Sequence, residues 1–415
     1  MNPKFSFLSL LLLVLFSAQT AFATEPTVEE MRSMGPAGLQ MLMTRYAGEI
    51  NRHIANPSLA SDEEWQRITT ALDTVAQQKN SYISGLYWYT DFESAKRASA
   101  ASGKPILSLR LLGKLTDEFS CANSRFFRTV LYPNAEVSSA LRDRFVLHWE
   151  SVRPVPTVTI DFGDGRKLER TLTGNSIHYI LDSQGRPIEA LPGLYGPKAF
   201  LRGLASAESL FKSLVGKNDQ ERSLLLTGYY RQQHTKLSVA WTSDTDRIGD
   251  KKPERSTGVK GTKLQAINIA GLAITKAVTE FSVLRAMTNA TERLGRITDE
   301  AAWIKIAQLH APDAMLDERS ISLIKRQNPA LTDQELSSLL QKFQELIALD
   351  TVRNEYLLHS KLYILLVEPI RNDVQKLNEQ VYAELFQTPR SDPWLGLFST
   401  DLYTALDNGG VVKPH

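Results

Sequence analysis

Cysteine is almost absent from this chain of 415 residues, which contains Cys121 alone. A single thiol cannot form a disulfide within one chain, so packing alone must stabilise the fold. An excess of one charge is also lacking, because 48 Lys and Arg stand against 46 Asp and Glu. This near-neutral balance predicts no nucleic-acid-binding surface. Beyond the N-terminus, no uninterrupted apolar run reaches the roughly 18 residues that indicate a membrane-spanning helix.

The N-terminus has the pattern of an export signal. Lys4 precedes the apolar residues 5–16, and small residues follow at Ala21 and Ala23, where a signal peptidase reads its substrate. The pattern predicts a signal peptide over residues 1–23 and a mature protein that is periplasmic or secreted. No cysteine follows the cleavage site, so a lipid-modified N-terminus is not expected.

Residues 24–84 are predicted to form a helical N-terminal arm. Apolar residues recur there at three- and four-residue intervals, which is typical of amphipathic helices. Asn56 and Pro57 interrupt the pattern, and the Ser-Asp-Glu-Glu sequence at 61–64 restarts it with a helix-capping signal. The methionines of the arm fall on the apolar positions, so we interpret them as core residues.

An α/β pattern follows over residues 85–205. The predicted elements are a helix at 92–102, a strand at 106–112, a polar loop at 113–120, a helix after Cys121, a helix at 137–144 and a strand at 145–150. Alternating helices and strands are typical of α/β folds. Residues 158–172 alternate between polar and apolar around Gly-Asp-Gly, which predicts a β-hairpin.

Motifs at both ends of this region resemble the thioredoxin-like superfamily, especially its exported members. At the start, residues 95–107 end in Gly-Lys-Pro-Ile-Leu, and Cys-Ala-Asn-Ser at 121–124 follows at the position of the family's Cys-x-x-Cys motif. At the end, residues 177–188 resemble the family's strand, Asp-x-x-Gly, strand hairpin, and residues 191–201 resemble its closing helix start. The resemblance spans residues 88–204. It implies a thioredoxin-like domain in which the predicted hairpin at 158–172 is an addition.

The resemblance implies thiol–disulfide exchange, with Cys121 as the nucleophile. A thiolate at a helix start is stabilised by the exposed N–H groups, and Ser124 would donate a hydrogen bond to it. Arg125 and Arg128 add positive charge to the same turn. The expected reaction is attack on a disulfide to give a mixed disulfide that an external thiol releases. The partners would be other exported proteins or small thiols, and no cofactor is expected.

Two departures from the family pattern favour a different function. Ser124 replaces the resolving cysteine, so no internal disulfide can close and eject a bound substrate. The family's cis-proline before the third strand falls near Ser176, and no proline is present there. The alternative hypothesis is a non-catalytic thioredoxin-like module for binding or assembly, with the helical half supplying the partner surface.

The environment of Cys121 distinguishes the two hypotheses. A thiol exposed at the helix start beside Arg125 would support thiol–disulfide exchange. Two chains could then also dimerise through a disulfide between their Cys121 residues. A thiol covered by Phe126, Phe127 or Trp149 would support the module.

Residues 206–415 are predicted to form a mainly α-helical C-terminal domain. A polar loop at 242–263 is the predicted linker within it. Predicted helices cover 206–230, 264–294, 298–309, 317–327, 332–349, 353–366 and 372–386. We interpret Trp394, in the aromatic segment that follows, as closing the helical core, and the alternative is an exposed partner site.

We predict that the histidines have structural roles and do not form a metal site. His148 and His178 lie in predicted strands and His359 in a predicted helix, and none has a partner at metal-ligand spacing.

Overall fold

A computed structural model describes residues 25–172, 174–248, 295–368 and 372–395, together with residues 405, 408 and 411, and gives only the backbone at 295–300. The predicted signal peptide at 1–23, the predicted helix at 264–294 and residues 249–263 of the predicted polar loop lie outside the described residues.

The N-terminal arm is helical, as its periodicity predicts. Its helices are α1 (Val28–Ser33), α2 (Pro36–Arg45), α3 (Ala47–Ala55), α4 (Glu63–Ala76) and α5 (Ser81–Ser84). Helix α4 begins where the sequence indicates, because the Asp62 side chain accepts the backbone N–H of Trp65 at 2.7 Å. Met31 and Trp65 belong to a small apolar core that also contains Leu323 from the C-terminal region. The interpretation of the methionines as core residues is confirmed for Met31 and is wrong for Met34 and Met41, which are exposed.

A four-stranded mixed sheet forms the centre of the α/β region. Strands β1 (Ile106–Leu112), β2 (Val146–Arg153), β5 (Ser176–Leu181) and β6 (Pro187–Pro192) lie in the order β2-β1-β5-β6. β1 is parallel to β2, and β5 is antiparallel to β1 and β6. Every residue of β1, β5 and β6 is buried. These strands are mainly apolar, as expected where both faces are covered, but they also bury Arg110 of β1, His178 of β5 and Glu189 of β6.

Helices surround this sheet in the predicted order. They are α6 (Phe92–Ser102), α7 (Ala122–Phe126), which continues into a π-helical turn (Phe127–Leu131), α8 (Ala135–Arg144) and α9 (Pro197–Leu214). α6 ends at Gly103, whose φ of +70° lies in the left-handed region that glycine favours.

The predicted hairpin is a separate two-stranded sheet. Its strands β3 (Thr157–Asp161) and β4 (Lys167–Thr171) pair antiparallel, with Thr159 opposite Glu169. Neither strand joins the four-stranded sheet.

The C-terminal region is helical wherever it has regular structure among the described residues. It contains α10 (Asp219–Ile248), α11 (Gly295–Leu309), a 3₁₀ turn (Ala311–Ala314), α12 (Glu318–Gln327), α13 (Asp333–Arg353), α14 (Ser360–Val367) and α15 (Val374–Gln380). A π-helical turn (Asn354–His359) joins α13 to α14, and a second (Val381–Leu385) extends α15. The two helices predicted at 332–349 and 353–366 are therefore one continuous helical segment, since no Gly or Pro separates them.

Three further predictions for this region are wrong. The helix predicted at 206–230 is two helices, because α9 ends at Leu214 and α10 begins at Asp219. The polar loop predicted at 242–263 begins too early, because α10 continues to Ile248. Trp241, Asp244 and Thr245 are buried there, so tertiary packing overrides the polar composition. Trp394 does not close a core, since 46% of its surface is exposed. It lies in a turn, where its backbone N–H donates to Asp392 Oδ1 at 2.9 Å.

The α/β region and the C-terminal helices share one apolar core. It includes Leu109 of β1, Trp241 of α10 and Leu366 of α14. At the junction, Gly193 has a φ of +82°, and a Cβ there would lie 2.6 Å from the side-chain nitrogen of Asn354. Only glycine permits this approach of the β6 end to the helices.

Candidate functional site

Cys121 lies at the start of α7, directly after the loop that leaves β1. Its backbone N–H donates to Leu112 O at 3.4 Å, and its carbonyl accepts the backbone N–H of Arg125 at 3.1 Å. The local backbone therefore matches the sequence prediction of a cysteine at a helix start. The side chain has no exposed surface and belongs to the same apolar cluster as Phe126, Phe127 and Trp149.

Two arginines fix the loop before Cys121. Arg125 Nη1 donates to Ser120 O at 2.8 Å and to Thr171 Oγ1 of β4 at 2.7 Å. Arg128 is buried, and its guanidinium donates to the carbonyls of Asp117 at 2.9 Å and Glu118 at 2.8 Å. The sequence predicts that these two arginines add positive charge near the thiol. In the structure they also bind backbone carbonyls and so fix the conformation of the loop before Cys121.

A hydrogen bond also joins the cysteine turn, residues 120–125, to strand β5. Asn123 Nδ2 donates to Ser176 Oγ at 2.8 Å, and both residues are buried. Ser176 lies near the position at which the thioredoxin-like resemblance leads us to expect a proline. The serine hydroxyl forms a side-chain contact with the turn that proline cannot form, because proline has no polar side chain.

Three buried oxygens of the cysteine turn lack partners. Ser120 Oγ, Asn123 Oδ1 and Ser124 Oγ have no hydrogen-bond partner within the part of the chain that the structure describes. The hydrogen bond predicted from Ser124 to the Cys121 thiol is therefore not formed. Most buried side-chain polar atoms have a partner, so three in one turn are unusual.

Within the described chain, titratable residues from separate segments interact electrostatically with Cys121. Arg125 lies one helical turn on, Tyr132 follows the π-helical turn, and Tyr382 comes from the end of α15. Burial lowers the pKa of Arg125, and its interaction with Cys121 opposes that change. Burial raises the pKa of Tyr132 and Tyr382, so both remain neutral phenols at physiological pH.

The C-terminal region packs beside the cysteine turn, next to Ser176. Tyr382 Oη donates to Asn175 O at 3.3 Å, and Asn175 Nδ2 donates to Thr388 Oγ1 at 3.3 Å. Arg153 donates to the carbonyls of Thr388 at 3.2 Å and Asp392 at 2.8 Å. Residues 382–392 therefore lie against the end of the sheet where Cys121 is located.

These contacts limit what Cys121 can do in this conformation. A thiol without exposed surface cannot reach a disulfide, or the Cys121 of a second chain, unless the turn opens. Reactive cysteines are usually partly exposed in an electropositive setting, and buried ones are inert. Cys121 has the positive neighbour but not the exposure.

The three histidines predicted to be structural are all buried with polar neighbours. His148 Nδ1 lies 2.9 Å from Ser108 Oγ, and His178 Nε2 lies 2.8 Å from Tyr132 Oη. Burial lowers the pKa of both rings to about 3, so they are neutral. His359 Nε2 lies 3.3 Å from Glu189 Oε1.

A second polar cluster, the His310 network, was not predicted from the sequence. His310 Nε2 lies 2.6 Å from Asp244 Oδ2, and its Nδ1 lies 3.7 Å from Asp313 Oδ2. Arg202 binds Asp313 with both terminal nitrogens, and Tyr356 Oη donates to Asp244 at 2.5 Å. In the sequence, only Asp313, three residues after His310, indicates this network. The other partners of the network are distant from His310 along the chain.

No cluster of three or more His, Cys, Asp or Glu suited to hold a metal ion occurs among the described residues. In the same part of the chain, no helix combines the length and apolar character needed to cross a membrane.

Comparison with known proteins gave no match, either to the models of protein families or among curated proteins.

Proposed function

We propose that this chain is an exported, non-catalytic thioredoxin-like module for binding or assembly. The order of elements from α6 to α9 supports the thioredoxin-like fold. Helix, strand, cysteine turn, helix and strand precede an antiparallel strand pair and a closing helix, as the motif resemblance implies. The apolar N-terminus with Ala21 and Ala23 supports export.

The burial of Cys121 is the main observation that supports a non-catalytic function. The thiol has no exposed surface, and the turn that holds it is fixed by Arg125, Arg128 and Asn123. Opening this turn breaks several hydrogen bonds at once, each worth about 0.5–1.5 kcal/mol. A module that binds partners through its surface needs no such opening.

One observation favours thiol–disulfide exchange as a second candidate. The Arg125 guanidinium is an electrostatic neighbour of Cys121, and a nearby positive charge stabilises a thiolate. In this reaction the Cys121 thiolate attacks one sulfur of a substrate disulfide. The S–S bond breaks, a mixed disulfide forms, and the second sulfur leaves as a thiolate. Because Ser124 cannot resolve the mixed disulfide, an external thiol must release the product.

The rate of alkylation of Cys121 tests the proposal. The purified native protein is treated with iodoacetamide across a range of pH, with Cys121→Ser as the blank and urea-unfolded protein as the fully reactive reference. The module predicts negligible labelling in the native state and one label per chain after unfolding. Rapid native labelling with an apparent pKa well below about 8.5 would reject the module and support the exchange reaction.

A further inference from the structure

The hairpin exposes two strand edges. β3 and β4 pair only with each other in the described part of the chain, and every residue of the two strands is exposed or half-buried. An isolated two-stranded hairpin is marginally stable in water, and an exposed edge offers unpaired N–H and C=O groups to another strand.

Two hydrogen bonds establish which backbone groups of β3 face outward. Phe162 N donates to Arg166 O at 3.1 Å at one end of the hairpin, and Leu172 N donates to Pro156 O at 2.9 Å at the other. Hydrogen-bonded pairs alternate along an antiparallel ladder. The even-numbered residues of β3 therefore bond to β4.

The odd-numbered residues of β3 direct their backbone groups away from β4. These are Thr157, Thr159 and Asp161. Their N–H and C=O groups form the free edge, and Thr159 lies at its centre.

We propose that β3 pairs antiparallel with β3 of a second copy of this chain, centred on Thr159. In this register the outward backbone groups of both strands meet, and all five residues of each strand are paired. Thr159 faces its own copy, Val158 faces Ile160, and Thr157 faces Asp161. Pairs of β-branched residues and Thr–Thr pairs stabilise antiparallel sheets, and no like charges meet.

The other edge is not self-complementary. Pairing β4 with a second β4 in the equivalent register is centred on Glu169, so two carboxylates lie directly opposite each other. Leu168 then faces Arg170. Like charges in directly opposed positions destabilise a sheet. The charge pattern therefore selects β3 as the self-pairing edge.

The proposed dimer is weak, and its interface does not involve Cys121. A five-residue strand pair buries little surface, and interfaces below about 1,200 Å² belong to the weak, transient class. The two copies are related by a two-fold axis at Thr159, as in most homodimers. The inference depends on the hairpin alone, so it stands whether Cys121 is reactive or inert.

Engineered disulfides test the register. Thr159→Cys places a thiol opposite its own copy in a hydrogen-bonded pair, where Cα atoms are about 5.5 Å apart, a separation that a disulfide spans. Lys167→Cys is the matched control, because it lies on β4 on the same face of the hairpin and leaves the Glu169 carboxylate in place. Both substitutions are made in the Cys121→Ser background. We expect covalent dimers from Thr159→Cys and at least tenfold fewer from Lys167→Cys under mild oxidation.

Sedimentation of the unmodified protein supplies a second measurement. From about 1 μM to about 200 μM, a range that brackets micromolar dissociation constants, we expect concentration-dependent dimerisation. Thr159→Lys places two ammonium groups opposite each other and should abolish it, whereas Glu169→Lys should leave it intact. A protein that stays monomeric throughout this range, or equal cross-linking by the two cysteine variants, would overturn the proposal.

Discussion

Two buried polar regions of this molecule differ in how fully their groups are paired. In the His310 network, Asp244 and Asp313 each bind His310 and a second side chain. In the cysteine turn, three buried side-chain oxygens have no partner among the described residues. Pairing compensates for the free energy lost on removing polar groups from water. The network is therefore a structural element, whereas the cysteine turn retains polar groups whose burial is not compensated.

Removing Asp313 should give the largest loss of stability. Asp313→Ala leaves Arg202 and His310 without their shared carboxylate. Breaking a buried pair costs about 3–5 kcal/mol, and we expect about 2–3 kcal/mol because Arg202 is half-exposed. The measurement is the free energy of unfolding from urea denaturation. Asp333→Ala, which removes a fully exposed partner of Lys325, should cost less than about 1 kcal/mol. Equal losses in the two variants would show that the network contributes no more than a surface pair.

The His310 network should also make stability depend on pH. The carboxylates of Asp313 and Asp244 raise the pKa of His310 from 6.5 to about 9. The folded protein therefore holds this proton more tightly than the unfolded chain does. The stabilisation is complete below about pH 6.5 and is lost as the pH rises through about 9. The free energy of unfolding should fall across that window in the unmodified protein and stay flatter in His310→Gln. A parallel fall in both proteins would assign the effect to other groups.

Asp313 adds a second pH dependence, of opposite direction. Its interactions with His310 and Arg202 outweigh burial and lower its pKa below 3.8. Its contribution is therefore present above about pH 3.8 and is lost as the pH falls further. The same urea titrations, extended to pH 3, measure this limb. Asp313→Ala should flatten the acid limb, while Asp333→Ala should leave it unchanged.

The sequence predicted what depends on local signals. Gly103 marks the end of α6, the apolar run at 106–112 is β1, and Gly-Asp-Gly at 163–165 marks the turn of the β3–β4 hairpin. What was missed depends on residues distant along the chain. Asp244 meets His310 across 66 residues, at the end of α10, which is helical where the composition predicts a loop. Tyr382 reaches Asn175 across 207 residues, so packing beside the cysteine turn has no local signature.

The smallest effect is expected at Ser124, where the lack of a partner can be tested directly. Ser124 Oγ is fully buried and has no hydrogen-bond partner among the described residues, so Ser124→Ala removes a desolvated hydroxyl without breaking any hydrogen bond seen there. We expect a change between zero and about 1 kcal/mol of added stability. Ser320 is the matched site, since it is equally buried and its hydroxyl donates to Val130 O at 2.8 Å. Ser320→Ala should cost about 1–2 kcal/mol because it leaves a buried acceptor short of a donor. If urea denaturation gives Ser124→Ala a loss as large as Ser320→Ala, then the Ser124 hydroxyl has a partner in solution. The two polar regions would then be alike.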